Sequence, residues 1–202
     1  MTICIYGGTF DPPHIGHMHV CESFIKCFNV DKLYIIPTST PPHKVRSSTV
    51  SGADRLEMCK LCFPQISSNI EVSDVELERE GKSYTADTIR HFKNLGNDEI
   101  YLLCGTDMML TLDKWYNFEY IFTNAKIVYM RRENDVETKD LLEIKTKEYE
   151  EKYGAEIHFI DVDAIEISSS EIRDMINASG VSGLLTDDVI SYIKEKDLYR
   201  KE

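Results

Sequence analysis

The first 37 residues constrain the fold more than any other part of the chain, because they place a segment of helical periodicity between two short apolar runs. The run TICIY, residues 2–6, is rich in β-branched residues and stops at a Gly-Gly pair, which predicts a buried strand. Apolar residues recur at helical spacing over 16–29, and KLYIIP, residues 32–37, predicts a second strand. A strand, a helix and a strand in this order form a βαβ unit, in which the two strands are parallel.

The alternation of strands and helices continues along the chain. Further strands are predicted over residues 70–77, 99–104, 125–130 and 156–161. Further helices are predicted over residues 52–63, 83–95, 107–112, 118–122, 137–153, 169–177 and 187–196. The pattern predicts an α/β fold with a doubly wound parallel sheet, as a single domain over 1–202 with a C-terminal helical part over 168–202. Ligands of such folds bind at the carboxyl ends of strands, so functional residues are expected in the loops that follow strands.

Two of these helices carry more detailed expectations. Ser83 or Thr85 is predicted to cap the helix over 83–95. The helix over 137–153 is strongly charged and is expected to expose most of its side chains to solvent. Its expected apolar contacts are Leu141, Leu142 and Ile144.

The net charge of −12 argues against binding to nucleic acids or membrane surfaces, since proteins that bind polyanions are usually basic. A small phosphate site remains compatible with this charge, because it needs only a few donors. The six cysteines lie in apolar surroundings, which indicates buried free thiols in a reducing compartment, and the single C-x-x-C pair lacks the further ligands of a zinc site. No run reaches the ~20 apolar residues of a membrane span, and the N-terminal run is too short for a signal peptide. A cytoplasmic protein with no protein-bound metal is therefore expected.

The loop after the first strand, GGTFDPPHIGH over residues 7–17, has the composition of a phosphate-binding turn. Its glycines let backbone N–H groups approach a ligand closely, and the next helix begins with unpaired N–H groups and a positive dipole end. His14 and His17 are three residues apart, so both imidazoles project from the first turn of that helix. Two N–H donors in this place suit phosphate oxygens better than a metal ion. The alternative is ordinary turn chemistry with structural histidines.

A second anion-binding pattern, ISSSEIR, stands at residues 167–173. Ser168 or Ser169 is predicted to cap a helix, with Arg173 one turn inside it. The guanidinium of Arg173 matches a phosphate group in charge and shape. The S-x-x-E spacing is also a common capping box that binds no ligand. Two such patterns in one α/β domain support a phosphate site more strongly than either pattern alone.

Together, GGTFDPPHIGH and ISSSEIR resemble the nucleotidyltransferase superfamily with the H-x-G-H signature, which here runs from His14 to His17. The resemblance is closest to the bacterial nicotinate-nucleotide adenylyltransferases. The segments PTSTPPHK, GKSYTADTI, CGTDMM and KWYNFE match that family in order, and so does the ending YIKEKDLY. The resemblance covers almost the whole chain. It implies a Rossmann-like nucleotidyltransferase fold and the transfer of AMP from ATP, accompanied by Mg²⁺, to nicotinate mononucleotide in NAD biosynthesis.

The resemblance also implies roles for the phosphate-binding residues. The mononucleotide phosphate attacks the α-phosphorus of ATP directly, so the protein must position two anions and neutralise their charge. His17 is the first candidate for stabilising the transition state, and Arg173 would hold the β- and γ-phosphates. Lys44 is a further candidate catalytic cation, with an exposed loop lysine as the equal alternative. The other implied ATP contacts are Gly7, Gly8, Thr9, Phe10, His14, Gly105, Asp107, Ser168, Ser169 and Ser170.

The nicotinate end is implied to be held by aromatic and polar residues elsewhere in the chain. An aromatic ring can stack on the pyridine. Thr85 at a helix start offers N–H groups to a carboxylate, which would favour nicotinate over its amide. Asp11 is assigned either to the site or to fixing the loop. The full implied set for the mononucleotide is Thr9, Lys44, Tyr84, Thr85, Asp107, Trp115, Tyr116 and Arg132.

Two alternatives to this function stay open. A related adenylyltransferase would act on nicotinamide mononucleotide or phosphopantetheine, although the phosphopantetheine enzymes are typically shorter and lack segments like GKSYTAD and KWYN. A non-enzymatic nucleotide sensor on the same fold would be expected to have lost His17 or Arg173, and both are present. The oligomeric state is open, a homo-oligomer included.

Overall fold

A computed structural model describes residues 1–39, 50–132, 136–163, 165, 167–176 and 180–200; of residues 132, 136 and 137 it describes the backbone alone. The strands are β1 (Thr2–Gly8), β2 (Lys32–Pro37), β3 (Ile70–Val72), β4 (Glu99–Gly105), β5 (Lys126–Arg132) and β6 (Ile157–Val162). The helices are α1 (Ile15–Cys27), α2 (Gly52–Cys62), α3 (Thr85–Asn94), α4 (Thr106–Met109), α5 (Phe118–Asn124), α6 (Val136–Tyr153), α7 (Ser169–Ile176) and α8 (Asp187–Glu195). A 3₁₀ turn covers Leu112–Lys114.

The strands form a six-stranded sheet in the order β3-β2-β1-β4-β5-β6. The pairs β1-β4, β4-β5 and β5-β6 are parallel, with Ile5 opposite Leu102, Leu102 opposite Ile127 and Ile127 opposite Ile157. These residues are apolar and most are fully buried, as expected for strands covered on both faces. The strand order reverses between β1 and β4, and the predicted doubly wound α/β fold is confirmed.

The chain divides into two compact units that alternate along the sequence. Unit 1 consists of residues 1–7, 23–34 and 84–164 and carries β1, β4, β5 and β6. Unit 2 consists of residues 8–22, 35–83 and 165–202 and carries the phosphate-loop residues from Gly8 onward, α2, α7 and α8. The C-terminal helical part predicted over 168–202 therefore belongs to the same unit as the loop after the first strand.

Several predicted elements differ in detail. Strand β3 ends at Val72, because a turn follows in which the backbone N–H groups of Leu77 and Glu78 both donate to the carbonyl of Asp74. The predicted capping of α3 by Ser83 or Thr85 is wrong. Tyr84 precedes α3 without a side-chain capping bond, and the Ser83 hydroxyl oxygen instead accepts the backbone N–H of Ser39 at 3.1 Å.

The packing of α6 is only partly as predicted. Leu142 is buried, but Leu141 and Ile144 are exposed to 54% and 62% of their full surface. On an α-helix these two positions point about 100° and 200° away from Leu142, so one helix face cannot bury all three side chains. The prediction is therefore wrong for Leu141 and Ile144.

All six cysteines are free thiols, and five of them are buried as predicted, whereas Cys27 is exposed at the end of α1. Burial raises the pKa of the Cys62 and Cys104 thiols to about 12, so both remain protonated and unreactive at neutral pH. Among the residues that the structure describes, no helix is long and apolar enough to cross a membrane.

Candidate active site

The two histidines of the H-x-G-H segment lie against each other at the start of α1. Their ring centroids are 3.8 Å apart, and the backbone carbonyl of His14 accepts the N–H of His17 at 2.9 Å and of Met18 at 3.2 Å. His14 therefore stands at the entry of the helix and His17 in its first turn. The prediction that both side chains project from the start of one helix is confirmed.

Backbone donors determine the protonation pattern of both rings. The N–H of Gly16 donates to Nδ1 of His14 at 3.2 Å, and the N–H of His14 donates to Nδ1 of His17 at 3.2 Å. Since each Nδ1 is an acceptor, each neutral imidazole carries its proton on Nε2. The pair is thus a set of two neutral rings, each with one N–H donor of defined position.

Burial also keeps these rings neutral. It lowers the pKa of His14 to about 4, because the side chain is 5% exposed and a buried imidazolium is poorly solvated. It lowers the pKa of His17 well below the usual 6.5, and the neighbouring His14 lowers it further. Both histidines are therefore hydrogen-bond donors, and not cations, at neutral pH.

Two glycines of the loop are required by side chains that pack beside them. A Cβ on Gly8 would lie 2.8 Å from Cζ of Phe10, whose ring is buried edge-on against His17 and Phe63. A Cβ on Gly16 would lie 3.0 Å from Cε1 and Nδ1 of the His14 ring. The glycines are thus needed to place Phe10 and His14, independently of any ligand.

Arg173 in α7 is held by three oxygen atoms of unit 2. Its Nη1 donates to the backbone carbonyl of Asp11 at 2.7 Å and lies 3.8 Å from the Asp11 carboxylate, and its Nη2 donates to Oγ of Ser170 at 3.0 Å. The Arg173 side chain is 27% exposed, so the cation is oriented but still accessible. Asp11 is buried, and Oδ1 of its carboxylate accepts the hydroxyl of Tyr199 at 2.6 Å. Of the two roles considered for Asp11, these contacts support fixing the loop.

The three serines of ISSSEIR have hydrogen bonds within the protein. Ser168 and Glu171 form the reciprocal capping box, in which the Ser168 N–H donates to the Glu171 carboxylate at 2.8 Å. The Ser169 hydroxyl donates to the carbonyl of Pro12 at 3.0 Å, which links α7 to the loop after β1. The start of α7 is therefore tied to the loop that precedes α1, and both lie in unit 2. Contact of these serines with a phosphate remains a prediction.

Arg55 is a buried cation that the sequence interpretation missed. It is 4% exposed, and its guanidinium donates to the carbonyls of Thr9 and Thr38 at 2.7 Å each. The bidentate fork ties the loop after β1 to the end of β2. A signal was present in the sequence, because Arg55 shares a helical face with Met58, Cys59 and Cys62, all of which are buried. A charged residue on an apolar face needs partners, and these two carbonyls supply them.

In unit 1, the carboxyl ends of β1 and β4 carry Gly7 and Gly105 on neighbouring parallel strands. Apart from the adjacent residues in the chain, nothing in the described structure lies within 4 Å of where a Cβ of either glycine would stand, so a ligand could approach the Cα of each glycine there. Asp107 follows in α4 and is exposed. These positions agree with the expectation that ligand residues follow strands, and their contacts with ATP remain predictions.

The aromatic residues expected to hold nicotinate include two rings in contact, tilted against each other. The rings of Tyr84 and Tyr116 lie 4.5 Å apart at an angle of 36°, and Tyr116 is 57% exposed. Trp115 is partly buried and follows the 3₁₀ turn, with its N–H donating to the carbonyl of Leu112 at 3.0 Å. Within the described residues no side chain caps the start of α3, where Thr85 is the first helical residue.

A partly buried polar network supports the segment that carries Trp115 and Tyr116. The Asp113 carboxylate accepts the hydroxyl of Tyr149 at 3.1 Å and the ammonium of Lys145 at 2.9 Å, both from α6. Burial acts in the opposite direction, but the bonds from Lys145 and Tyr149 lower the pKa of Asp113 overall. Tyr149 is fully buried, and its hydroxyl therefore fixes Asp113, which lies two positions before Trp115.

The side chains of two predicted site residues cannot be placed relative to the other residues of the site. Lys44 lies outside the described residues. Arg132 ends β5 opposite Val162, and its side chain is not described. Their assignment to the site rests on the resemblance alone.

Comparison with known proteins defines first the class and then the family. The class is given by residues 5–175, which match the cytidylyltransferase-like family. A protein of Clostridium tetani named "probable nicotinate-nucleotide adenylyltransferase" is 34% identical over 198 residues, covering 97% of this chain and 98% of the relative. One of the same name from Clostridium botulinum (strain Alaska E43) is 36% identical over 201 residues, covering 98% of each. The chain belongs to the nicotinate-nucleotide adenylyltransferase family.

Solved structures give the same fold. The nicotinic acid mononucleotide adenylyltransferase of Plasmodium falciparum complexed with NaAD has a TM-score of 0.76 and 20% identity, covering 98% of this chain and 97% of that chain. The same enzyme complexed with APC has a TM-score of 0.73. At this identity, the likeness supports the fold and carries no residue assignment.

Proposed function

We propose that this chain transfers AMP from ATP to nicotinate mononucleotide, giving nicotinate adenine dinucleotide and pyrophosphate. The observation that carries the proposal is the pair of neutral histidines at the start of α1, within the same unit as Arg173. Donors and a cation of this kind suit a reaction that brings two phosphates together. The curated relatives named above support nicotinate mononucleotide as the acceptor.

In this reaction the protein positions the reactants and redistributes charge, and it supplies no nucleophile. A mononucleotide phosphate oxygen attacks the α-phosphorus of ATP, the bond from that phosphorus to the β-bridging oxygen breaks, and pyrophosphate leaves with the electron pair. Nε2–H of His17 would donate to an oxygen of the α-phosphate as negative charge redistributes in the transition state. A neutral donor with its proton already on Nε2 needs no tautomer change on binding, so its orientation is preorganised.

Arg173 would bind the β- and γ-phosphates and then the departing pyrophosphate. Its planar fork presents several N–H donors, of which Asp11 and Ser170 engage part. The contacts to Asp11 hold the guanidinium in place before ATP arrives, so less side-chain entropy is lost on binding. The start of α7 adds backbone N–H groups near the capping box.

The pyridine end is assigned to unit 1. The half-exposed ring of Tyr116 offers a face on which an aromatic base can stack. The N–H groups at the uncapped start of α3 would donate hydrogen bonds to the nicotinate carboxylate, whereas the amide of nicotinamide would present its own NH₂ donors to them. The N–H groups are thus the proposed basis for preferring the acid over the amide.

Mg²⁺ is proposed to be bound mainly by the triphosphate. In the part of the chain that the structure describes, no three His, Cys, Asp or Glu side chains are grouped to hold a metal ion. Mg²⁺ in nucleotide enzymes keeps several waters and is bound largely through substrate phosphates, so a dedicated protein cage is not required. Bound in this way, it would neutralise charge on the phosphates of ATP. A cytoplasmic location is also proposed, supported by six free thiols.

The proposal is tested by mixing the protein with ATP, Mg²⁺ and one acceptor at a time, and measuring pyrophosphate release together with the dinucleotide formed. The acceptors are nicotinate mononucleotide, nicotinamide mononucleotide and phosphopantetheine. Formation of nicotinate adenine dinucleotide, with the fastest release for that acceptor, supports the proposal. Faster turnover of another acceptor would reassign the substrate, and ATP binding without release would indicate the nucleotide sensor.

A further inference from the structure

One buried tyrosine near the C-terminus reaches the loop after β1. Tyr199 is 8% exposed, and its hydroxyl donates a hydrogen bond of 2.6 Å to Oδ1 of Asp11, a residue 188 positions earlier in the chain. Both residues belong to unit 2. Tyr199 has a φ of 62°, in the left-handed region that side-chain-bearing residues rarely adopt. Packing and the hydrogen bond, and not local preference, therefore determine where this tyrosine lies.

Asp11 carries this contact onward to Arg173. The backbone carbonyl of Asp11 accepts Nη1 of Arg173 at 2.7 Å, and the Asp11 carboxylate lies 3.8 Å from the same nitrogen. The Asp11 side chain is almost fully buried, so its charge must be compensated by close donors and cations. Tyr199 and Arg173 both supply such compensation, and they do so on opposite oxygens of one carboxylate.

We infer that Tyr199 is a positioning residue for the polyphosphate of ATP: it fixes the Asp11 carboxylate, which fixes the Arg173 guanidinium. The inference rests on the proposed function only in assigning polyphosphate to Arg173. The competing explanation is that Tyr199 merely anchors the end of the chain. An anchor would affect stability, whereas a positioning residue affects affinity for polyphosphate.

The chain offers a matched control for this distinction. Tyr192 in α8 donates its hydroxyl to Oδ1 of Asp54 in α2 at 3.0 Å, also within unit 2. Tyr192→Phe and Tyr199→Phe each remove one tyrosine–carboxylate hydrogen bond from the C-terminal part. Asp54 is paired with Ser51, and in the part of the chain that the structure describes it forms no hydrogen bond or ion pair with Arg173. The two variants therefore differ in whether the carboxylate is next to Arg173.

The experiment measures the Kd of inorganic pyrophosphate by calorimetry and the KM for ATP, alongside thermal midpoints. Tyr199→Phe is expected to weaken pyrophosphate binding and raise the KM for ATP on the order of tenfold, the effect of losing one hydrogen bond to a charged group. Tyr192→Phe is expected to leave both values within about twofold of the wild type, whatever its thermal midpoint. Equal changes in the two variants, or no change in Tyr199→Phe, would overturn the inference.

A double-mutant cycle with Arg173→Met tests the route through Arg173. If Tyr199 acts through Arg173, adding Tyr199→Phe to Arg173→Met causes little further loss in kcat/KM for ATP. If the two substitutions instead reduce kcat/KM independently, the fold-losses of the single variants multiply in the double variant, and that result would contradict the inference. Pyrophosphate binding requires no turnover, so the two proposals can fail separately. Normal pyrophosphate binding by Tyr199→Phe in an active enzyme refutes the inference alone. Pyrophosphate binding by a wild type that forms no nicotinate adenine dinucleotide refutes the function alone.

Discussion

Nδ1 of His17 accepts a hydrogen bond from the backbone N–H of His14, and this bond places the proton of the neutral His17 ring on Nε2. Gly16 does the same for His14 through its own N–H. The first turn of α1 thus sets the tautomers of the two histidines before any substrate is bound.

His17→Ala is expected to reduce turnover by at least ~100-fold, the cost of removing a transition-state donor. The fold should persist, because the helix start keeps its backbone hydrogen bonds. His19→Ala, two residues further along α1, is the matched control and should keep near-normal kcat. Near-normal turnover in His17→Ala would remove His17 from the mechanism.

Stability is expected to depend on pH through His14. The folded-state pKa of about 4 lies below the unfolded value of 6.5, so the unfolded chain binds more protons between these values and stability falls as the pH drops through that window. From pH 6.5 to pH 5, His14 should contribute a loss of about 1.6 kcal/mol in the free energy of unfolding. Urea unfolding at both pH values should show a smaller drop in His14→Gln. An equal drop in the two proteins would show that His14 is not held neutral by burial.

The two glycines that end β1 are expected to behave differently. Gly8→Ala forces a Cβ against the buried Phe10 ring and should lower the free energy of unfolding by roughly 1–3 kcal/mol. Gly7→Ala meets no protein atom and should leave stability nearly unchanged while weakening ATP binding, since its added methyl occupies space assigned to phosphate. Denaturation and calorimetric titration with ATP measure the two effects. Wild-type ATP affinity in Gly7→Ala would exclude Gly7 from the site.

Trp115→Ala is expected to raise the KM for nicotinate mononucleotide without changing the KM for ATP. Tyr149→Phe should have the same selectivity with a smaller effect, because it removes the hydroxyl that holds Asp113, two residues before Trp115. Tyr129→Phe, another buried tyrosine of unit 1, serves as the control for losing a buried hydroxyl. If the KM for ATP rose instead, the assignment of the Trp115 segment to nicotinate mononucleotide would be wrong.

The sheet and most helices could be predicted from the sequence, because their signals are local. Strand β1 and helix α1 are marked by apolar periodicity within a few residues of each other. The paired histidines could be predicted for the same reason, since residues three apart in a helix are neighbours whatever surrounds them. The family resemblance then supplied the acceptor, which no local pattern in the chain indicates.

The missed features all depend on contacts between distant parts of the chain. Ser83 is a residue type that often caps helices, but its hydroxyl oxygen accepts a hydrogen bond from the backbone N–H of Ser39 in another loop. The partners of Arg55 are backbone carbonyls, which every residue carries, so no sequence pattern identifies them. Tyr199 and Asp11 are 188 positions apart, and their pairing follows only once the C-terminal part is seen in unit 2.

The central claim is tested most directly by the ratio of kcat/KM for nicotinate mononucleotide to that for nicotinamide mononucleotide, at saturating ATP and Mg²⁺, with the dinucleotide products identified. If the start of α3 binds the nicotinate carboxylate, the ratio should be at least ~10, since loss of one charge-assisted hydrogen bond costs about that factor. When the ATP carries a label on its α-phosphate, that label should appear in nicotinate adenine dinucleotide. A ratio near one, or label in neither dinucleotide, would contradict the assignment.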